Sequence, residues 1–96
     1  MGTSNAILLP ERFDYSFFQS FEQQILSLLG EQQATEEEIV LDFAQVQYLD
    51  SSALGMMVMA NKQAEEKSMR IVLVNLQGLA AEIVAIARLD QMFIIR

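Results

Sequence analysis

The sequence predicts an α/β fold: about four strands in a mainly parallel or mixed sheet and three helices, in the order β-α-β-α-β-α-β. Three observations carry this. Short apolar runs rich in β-branched residues recur at residues 6–9, 39–43, 70–74 and 93–95. Between them lie three stretches whose apolar residues fall at helical spacing. No repeat or low-complexity linker interrupts the alternation, and 96 residues suit one core rather than two. Residues 1–96 therefore read as a single domain.

The elements follow in order. Residues 1–5 are small and polar and are expected to be disordered. AILL at 6–9 is a first, short strand, stopped by Pro10, which cannot donate a ladder hydrogen bond. Asp14 stands where an N-cap belongs, ahead of an apolar stripe at Phe18, Phe21, Ile25, Leu28 and Leu29. Gly30 sits where a helix C-terminal glycine is expected. EQQATEEE at 31–38 reads as a solvated acidic loop, with Glu36 and Glu38 in its densest part. IVLDF at 39–43 is a buried strand, and residues 44–49 are a connector. Asp50-Ser51-Ser52 is a dense capping signal, opening a helix that runs to about Glu66. RIVLV, Arg70–Val74, is the third strong strand. Asn75 and Gly78 punctuate the chain before a third helix marked by Leu79, Ile83 and Ile86, and residues 93–95 close the sheet. The alternation implies parallel pairing through right-handed crossovers. Only the first connection leaves room for an antiparallel partner.

Composition narrows the function. The chain is 52% hydrophobic with a mean hydropathy of +0.24, rich for a small domain. Such richness suits helices on both faces of the sheet, or on one face with a partner on the other. A domain of this length buries only about 60–65% of the surface its unfolded chain exposes, so its stability is expected to be modest. A net charge of −7 opposes both nucleic-acid binding and adsorption to anionic lipid. No stretch approaches the roughly 20 apolar residues of a membrane span, and no secretory signal opens the chain. A cytoplasmic protein without membrane insertion is the expectation.

Catalysis lacks its parts. The chain has neither histidine nor cysteine, which removes most acid–base, nucleophilic and thiolate-metal arrangements. Its four glycines form no phosphate-binding loop. Asp42 and Asp50 flank a strand end in the manner of a Mg²⁺ site, but no third acid or matching lysine completes the set. The expectation is no enzyme, no cofactor and no metal.

The information lies in YLDSSALGMM, residues 48–57. A strand feeds a helix whose first residues are Asp50, Ser51 and Ser52, so hydroxyls sit at the positive end of a helix dipole. The plain account is a helix cap, which is what these residues do in most settings. The context goes further. Asp50, Ser51, Ser52, Leu54 and Gly55, with IVLDF before, RIVLVN after and LDQMFII at the end, resemble the STAS-domain anti-anti-sigma factor (anti-sigma factor antagonist) family. Asp14 in PERFD is similar to the aspartate that opens that family's first helix. Ala53 departs from the family's usual glycine and Glu11 from another, the first strand is short, and the family's C-terminal helix is absent from these 96 residues.

The resemblance implies a STAS-like fold and a protein-binding module controlled by phosphorylation. Ser51, directly after the aspartate, would be phosphorylated by a serine kinase that is often also an anti-sigma factor, and reset by a PP2C-type phosphatase. The unphosphorylated form would bind the partner and the phosphorylated form would not. Asp50, Ser52 and Gly55 would support the motif. A phosphate at a helix N-terminus is tolerated by the fold, so its effect must fall on an interface.

Helix geometry divides the second helix. Ala53, Met57, Ala60 and Ala64 form its core face with Leu54 and Met56 flanking; Ser51, Gly55, Met59 and Lys62 fall on the other side. Together with Asp14 these four are the candidate partner-binding residues. Phe13, Phe17, Phe18 and Phe21 read as core, with Phe17 off the stripe and open to a dimer or partner surface. A monomer or weak dimer is expected. The alternative is a STAS adaptor subunit of a larger assembly, a stress-sensing complex or a lipid transporter, in which Ser51 is only a cap.

Overall fold

The structure, a computed structural model, describes residues 5–30 and 38–96. Its central sheet has four strands, all parallel: β1 (Ala6–Leu8), β3 (Glu38–Asp42), β5 (Arg70–Val74) and β6 (Ile94–Ile95), in the order β1-β3-β5-β6. The antiparallel option for the first connection is thus not taken: Ile7 pairs with Leu41, and Leu41 with Leu73, all in parallel register. Two further strands, β2 (Arg12–Phe13) and β4 (Tyr48–Leu49), form a separate parallel pair inside what the sequence reads as connectors. Three helices complete the fold: α1 (Phe18–Gly30), α2 (Ser51–Glu66) and α3 (Gly78–Ile86).

The strand order never reverses, and this decides where the helices lie. Each right-handed crossover moves one strand further in the same direction, which puts every crossover helix on the same side. The core agrees. Alternate strand residues Ile7, Leu9, Ile39, Leu41, Ile71 and Leu73 join Phe21 and Ile25 of α1, Ala53 and Met57 of α2, and Ala80 and Val84 of α3 in one cluster. The residues between them in the strands, Ala6, Leu8, Val40 and Val74, lie outside that cluster and are at least partly exposed. Of the two arrangements that composition allows, the chain therefore takes the one in which helices cover one face.

Val72 on the uncovered face is nonetheless fully buried. Arg96, beyond β6, makes a bidentate ion pair at 2.9 Å with Glu38, which opens β3. A bridge from β3 to β6 must pass over β5, and Val72 is the middle residue of β5 on that face. Glu38 is thus a strand residue rather than part of the acidic loop; Glu36 lies outside the described residues. Asn5, expected to be disordered, is held at both ends: its carbonyl accepts from Val40 N–H (3.0 Å) and its side-chain amide donates to the Glu38 carbonyl (2.7 Å). Residues 1–4 lie outside the described residues.

Two helices end in different ways. Gly30 is the last residue of α1. After α2, Ser68 adopts φ 59, and Met69 N–H donates back to the Ala64 carbonyl at 2.8 Å, closing a Schellman-type end. The third helix forms where expected, but its stripe is rotated. Ala80 and Val84 are buried and Ile83 partly so, whereas Leu79 and Ile86 are 48% and 81% exposed. GLAAEIVAI is apolar nearly all round, so spacing alone does not select the side that meets the sheet.

Candidate functional site

The site is built by the short β2/β4 pair. Arg12 pairs with Tyr48 and Phe13 with Leu49, and both strands end there. Gln47 and Tyr48 N–H groups add bonds to the Glu11 carbonyl at 2.8 and 3.1 Å. Phe13 and Leu49 point into the core, which fixes the register because a slip of one residue would turn both outward. The next residue on each strand is an aspartate: Asp14 beside Asp50. Each caps a helical segment, so the two helix entrances sit next to one another.

Asp50 is extended (φ −132) and its Oδ1 accepts from Ala53 N–H at 3.2 Å, the N-cap bond of α2. The Tyr48 hydroxyl donates to Asp50 Oδ2 at a long 3.5 Å. Asp14 caps the 3₁₀ turn Tyr15–Phe17 that leads into α1, accepting from Ser16 N–H at 3.0 Å and from the Ser16 hydroxyl. Its second oxygen takes Arg12 Nε at 2.8 Å, and the Arg12 guanidinium lies 4.1 Å above the centre of the Tyr48 ring. Asp14, Arg12, Tyr48 and Asp50 form one continuous chain of contacts. The Ser16 hydroxyl, the Ser16 N–H and then Arg12 hold the Asp14 carboxyl below its usual value, against a partial opposing effect of desolvation.

Ser51 is the first helical residue of α2, and Ser51 and Ser52 are both exposed. Gly55, Met59 and Lys62 continue the exposed side, while Ala53, Met57, Ala60 and Ala64 are buried with Met56. The division expected from helix geometry holds at each of these positions. A Cβ on Gly55 would meet nothing within 4 Å, so the chain's own packing does not require glycine there. Ala53, the departure from the family motif, is fully buried and donates its N–H to Asp50 without strain.

Three features were not readable in advance. Met59 also walls a shallow groove between α1 and α2, with Phe18, Phe21, Ile25, Met56 and Ala60; Glu22 and Gln63 lie at its rim. Asn61 is buried on α2, its amide 3.4 Å from Glu65 Oε2. Phe17 is half-buried: it packs edge-on to Phe13 at 5.9 Å and against the core. The Mg²⁺ reading of Asp42 with Asp50 also fails. Asp42 Oδ1 accepts from Ala44 N–H and the Asn75 amide, tying the ends of β3 and β5. No group of three or more acids that could hold a metal occurs among the described residues.

A parallel sheet covered by helices on one face, with an aspartate-capped serine exposed at the start of α2, defines the class. Residues 2–96 match the family model described as "Mlab, STAS domain", and the chain belongs to the STAS domain family. It is 33% identical over 92 residues to a STAS-domain containing protein of Pseudomonas aeruginosa, covering 96% of this chain and 87% of that one. Among solved structures, the crystal structure of TM1081 from Thermotoga maritima aligns with a TM-score of 0.78 at 17% identity, covering 99% of this chain and 81% of the other. The anti-sigma factor antagonist SpoIIAA in its unphosphorylated form aligns with a TM-score of 0.68 at 17% identity, covering 100% and 83%. At these identities the two structures speak for the fold. Among the described residues no helix is long and apolar enough to cross a membrane.

Proposed function

We propose that the chain is a phosphorylation-switched protein-binding module of a partner-switching pathway, working in the cytoplasm and without catalysis of its own. In its unphosphorylated form it binds an anti-sigma factor with serine kinase activity, or a related regulator. Phosphorylation of Ser51 releases that partner, and a PP2C-type phosphatase restores binding. The observation that carries the reading is the exposure of Ser51 at a helix start whose capping is already supplied by Asp50. A serine relieved of capping and open to solvent is accessible to a kinase.

The contact surface in this reading is Ser51, Gly55, Met59 and Lys62 on α2 with Asp14 beside them. A phosphate brings about −1.5 to −2 charges onto that surface. Burying it against a partner that had met a neutral hydroxyl, with no cation opposite, costs several kcal/mol. A cost of roughly 3 kcal/mol weakens binding more than a hundredfold.

Intact-mass spectrometry of the protein from its native cells, beside Ser51→Ala, tests the modification. Pull-downs with wild type, Ser51→Ala and Ser51→Asp test the switch. The expected result is a single phosphate absent from Ser51→Ala, and a partner retained by Ala and lost by Asp. Identical partners for all three, with no phosphate in any growth state, would replace this reading by the adaptor one. That adaptor reading is the alternative to the switch. There Asp50 and Ser51 only start the helix, and the protein co-purifies with the subunits of a larger assembly.

A further inference from the structure

Resting on the reading of Ser51 as a phosphorylation site, we propose that Arg12 senses the phosphate: it leaves Asp14 for the phosphoryl group and so uncovers Asp14 toward the partner. Arg12 is one of six cations in the chain and the only one on the β2/β4 pair. Lys62 lies eleven residues beyond Ser51 on α2, about 16 Å along the helix at 1.5 Å per residue. Lys67 and Arg70 stand past the far end of α2, Arg88 follows α3, and Arg96 is held by Glu38.

Arg12 is placed and equipped for the exchange. Its contacts run through the Tyr48 ring and hydroxyl to Asp50, the residue directly before Ser51. Its side chain is 67% exposed and its hydrogen bond to Asp14 uses Nε, so both terminal nitrogens can take up the phosphate as the Nε bond is given up. A phosphate monoester at neutral pH outweighs a carboxylate in charge and offers three acceptor oxygens to the planar guanidinium. Asp14 loses little by the exchange, since it keeps both bonds from Ser16. The charges flanking the new phosphate on the two strand ends, Asp50 and Asp14, are both negative, which makes Arg12 the group able to offset it. The phosphorylated site then presents two negative groups in place of a hydroxyl and a neutralised carboxylate.

The test installs phosphoserine at position 51 during synthesis, so it does not depend on whether a cellular kinase uses Ser51. Phosphorus NMR then follows the second ionisation of the phosphate in wild type, Arg12→Gln and Arg12→Lys. The wild-type phosphate should titrate about 0.3–0.7 pH unit below that of Arg12→Gln, with Arg12→Lys between them. The Arg12 Nε–H resonance should move when Ser51 is phosphorylated. Equal midpoints in wild type and Arg12→Gln would overturn the proposal while leaving the switch itself standing. Arg12→Lys keeps the charge and serves as the folded control, checked by circular dichroism.

Discussion

At the residue scale, the site divides into groups that hold the backbone and groups that face outward. Asp50 is of the first kind, because its carboxylate closes the N-cap bond to Ala53. Asp50→Ala should cost about 1 kcal/mol in urea unfolding, and Asp50→Asn much less, since asparagine caps as well as aspartate. Gly55 is of the second kind. With open space around its absent Cβ, Gly55→Ala should stabilise α2 by about 1 kcal/mol, the helix-propensity difference, as read by urea unfolding. If the partner docks on this face, the same substitution should weaken binding while raising stability, a split that no folding defect produces. Asp14 offers a pH signature. Its folded carboxyl lies below the usual 3.8, so its contribution to stability is present above 3.8 and is lost as pH falls through the folded value. Carbon NMR should find Ser16→Ala raising the Asp14 midpoint more than Arg12→Gln, because the Ser16 hydroxyl is the largest cause. The two capping aspartates were legible from sequence because capping is local chemistry, whereas Ser51 was singled out by the family resemblance. Arg12 was not legible, since its partners Asp14 and Tyr48 meet only once β2 and β4 pair 36 residues apart in the chain.

At the scale of elements, a signal was readable where one side of a segment differs from the other. Burial in α2 follows its sequence at most positions, with Ala53, Met57, Ala60 and Ala64 on one side and Ser51, Gly55 and Lys62 on the other, while Asn61 is buried and Met59 exposed. The α3 segment lacks that contrast, and its buried side is set by the sheet it meets. Ile86→Ser should therefore change stability by less than about 0.5 kcal/mol, whereas Val84→Ala should cost about 2 kcal/mol in urea unfolding. Equal costs would mean that the stripe Leu79, Ile83, Ile86 is the buried one after all. The end of α2 carries a smaller effect. Ser68 holds a left-handed conformation at φ 59 that glycine adopts freely, so Ser68→Gly should raise stability by about 0.5–1 kcal/mol. The β2 and β4 strands escaped notice because two-residue strands leave no periodicity to read. Their role is disproportionate to their length, for they alone bring the entrances of α1 and α2 side by side.

At the scale of the whole molecule, strand order matters more than any single contact. A sheet ordered β1-β3-β5-β6 without reversal leaves all three helices on one face and, among the described residues, no helix on the opposite face, where Glu38 and Arg96 pair across β5. Sequence pointed to a mainly parallel or mixed sheet and left open whether helices cover one face or both, because strand order depends on pairings that no local pattern encodes. Neighbouring residues of β1 test the arrangement directly. Ile7 is 1% exposed and faces the helices, while Leu8, its immediate successor, is 55% exposed on the open face. Ile7→Ala should cost about 2–5 kcal/mol, a large share of the roughly 5–15 kcal/mol expected of a domain this size. Leu8→Lys should stay within about 0.5 kcal/mol of wild type. Urea unfolding of the isolated protein measures both. A Leu8→Lys variant as damaged as Ile7→Ala would mean that a second layer covers the open face in solution, because a lysine is costly there only when its charge cannot reach water.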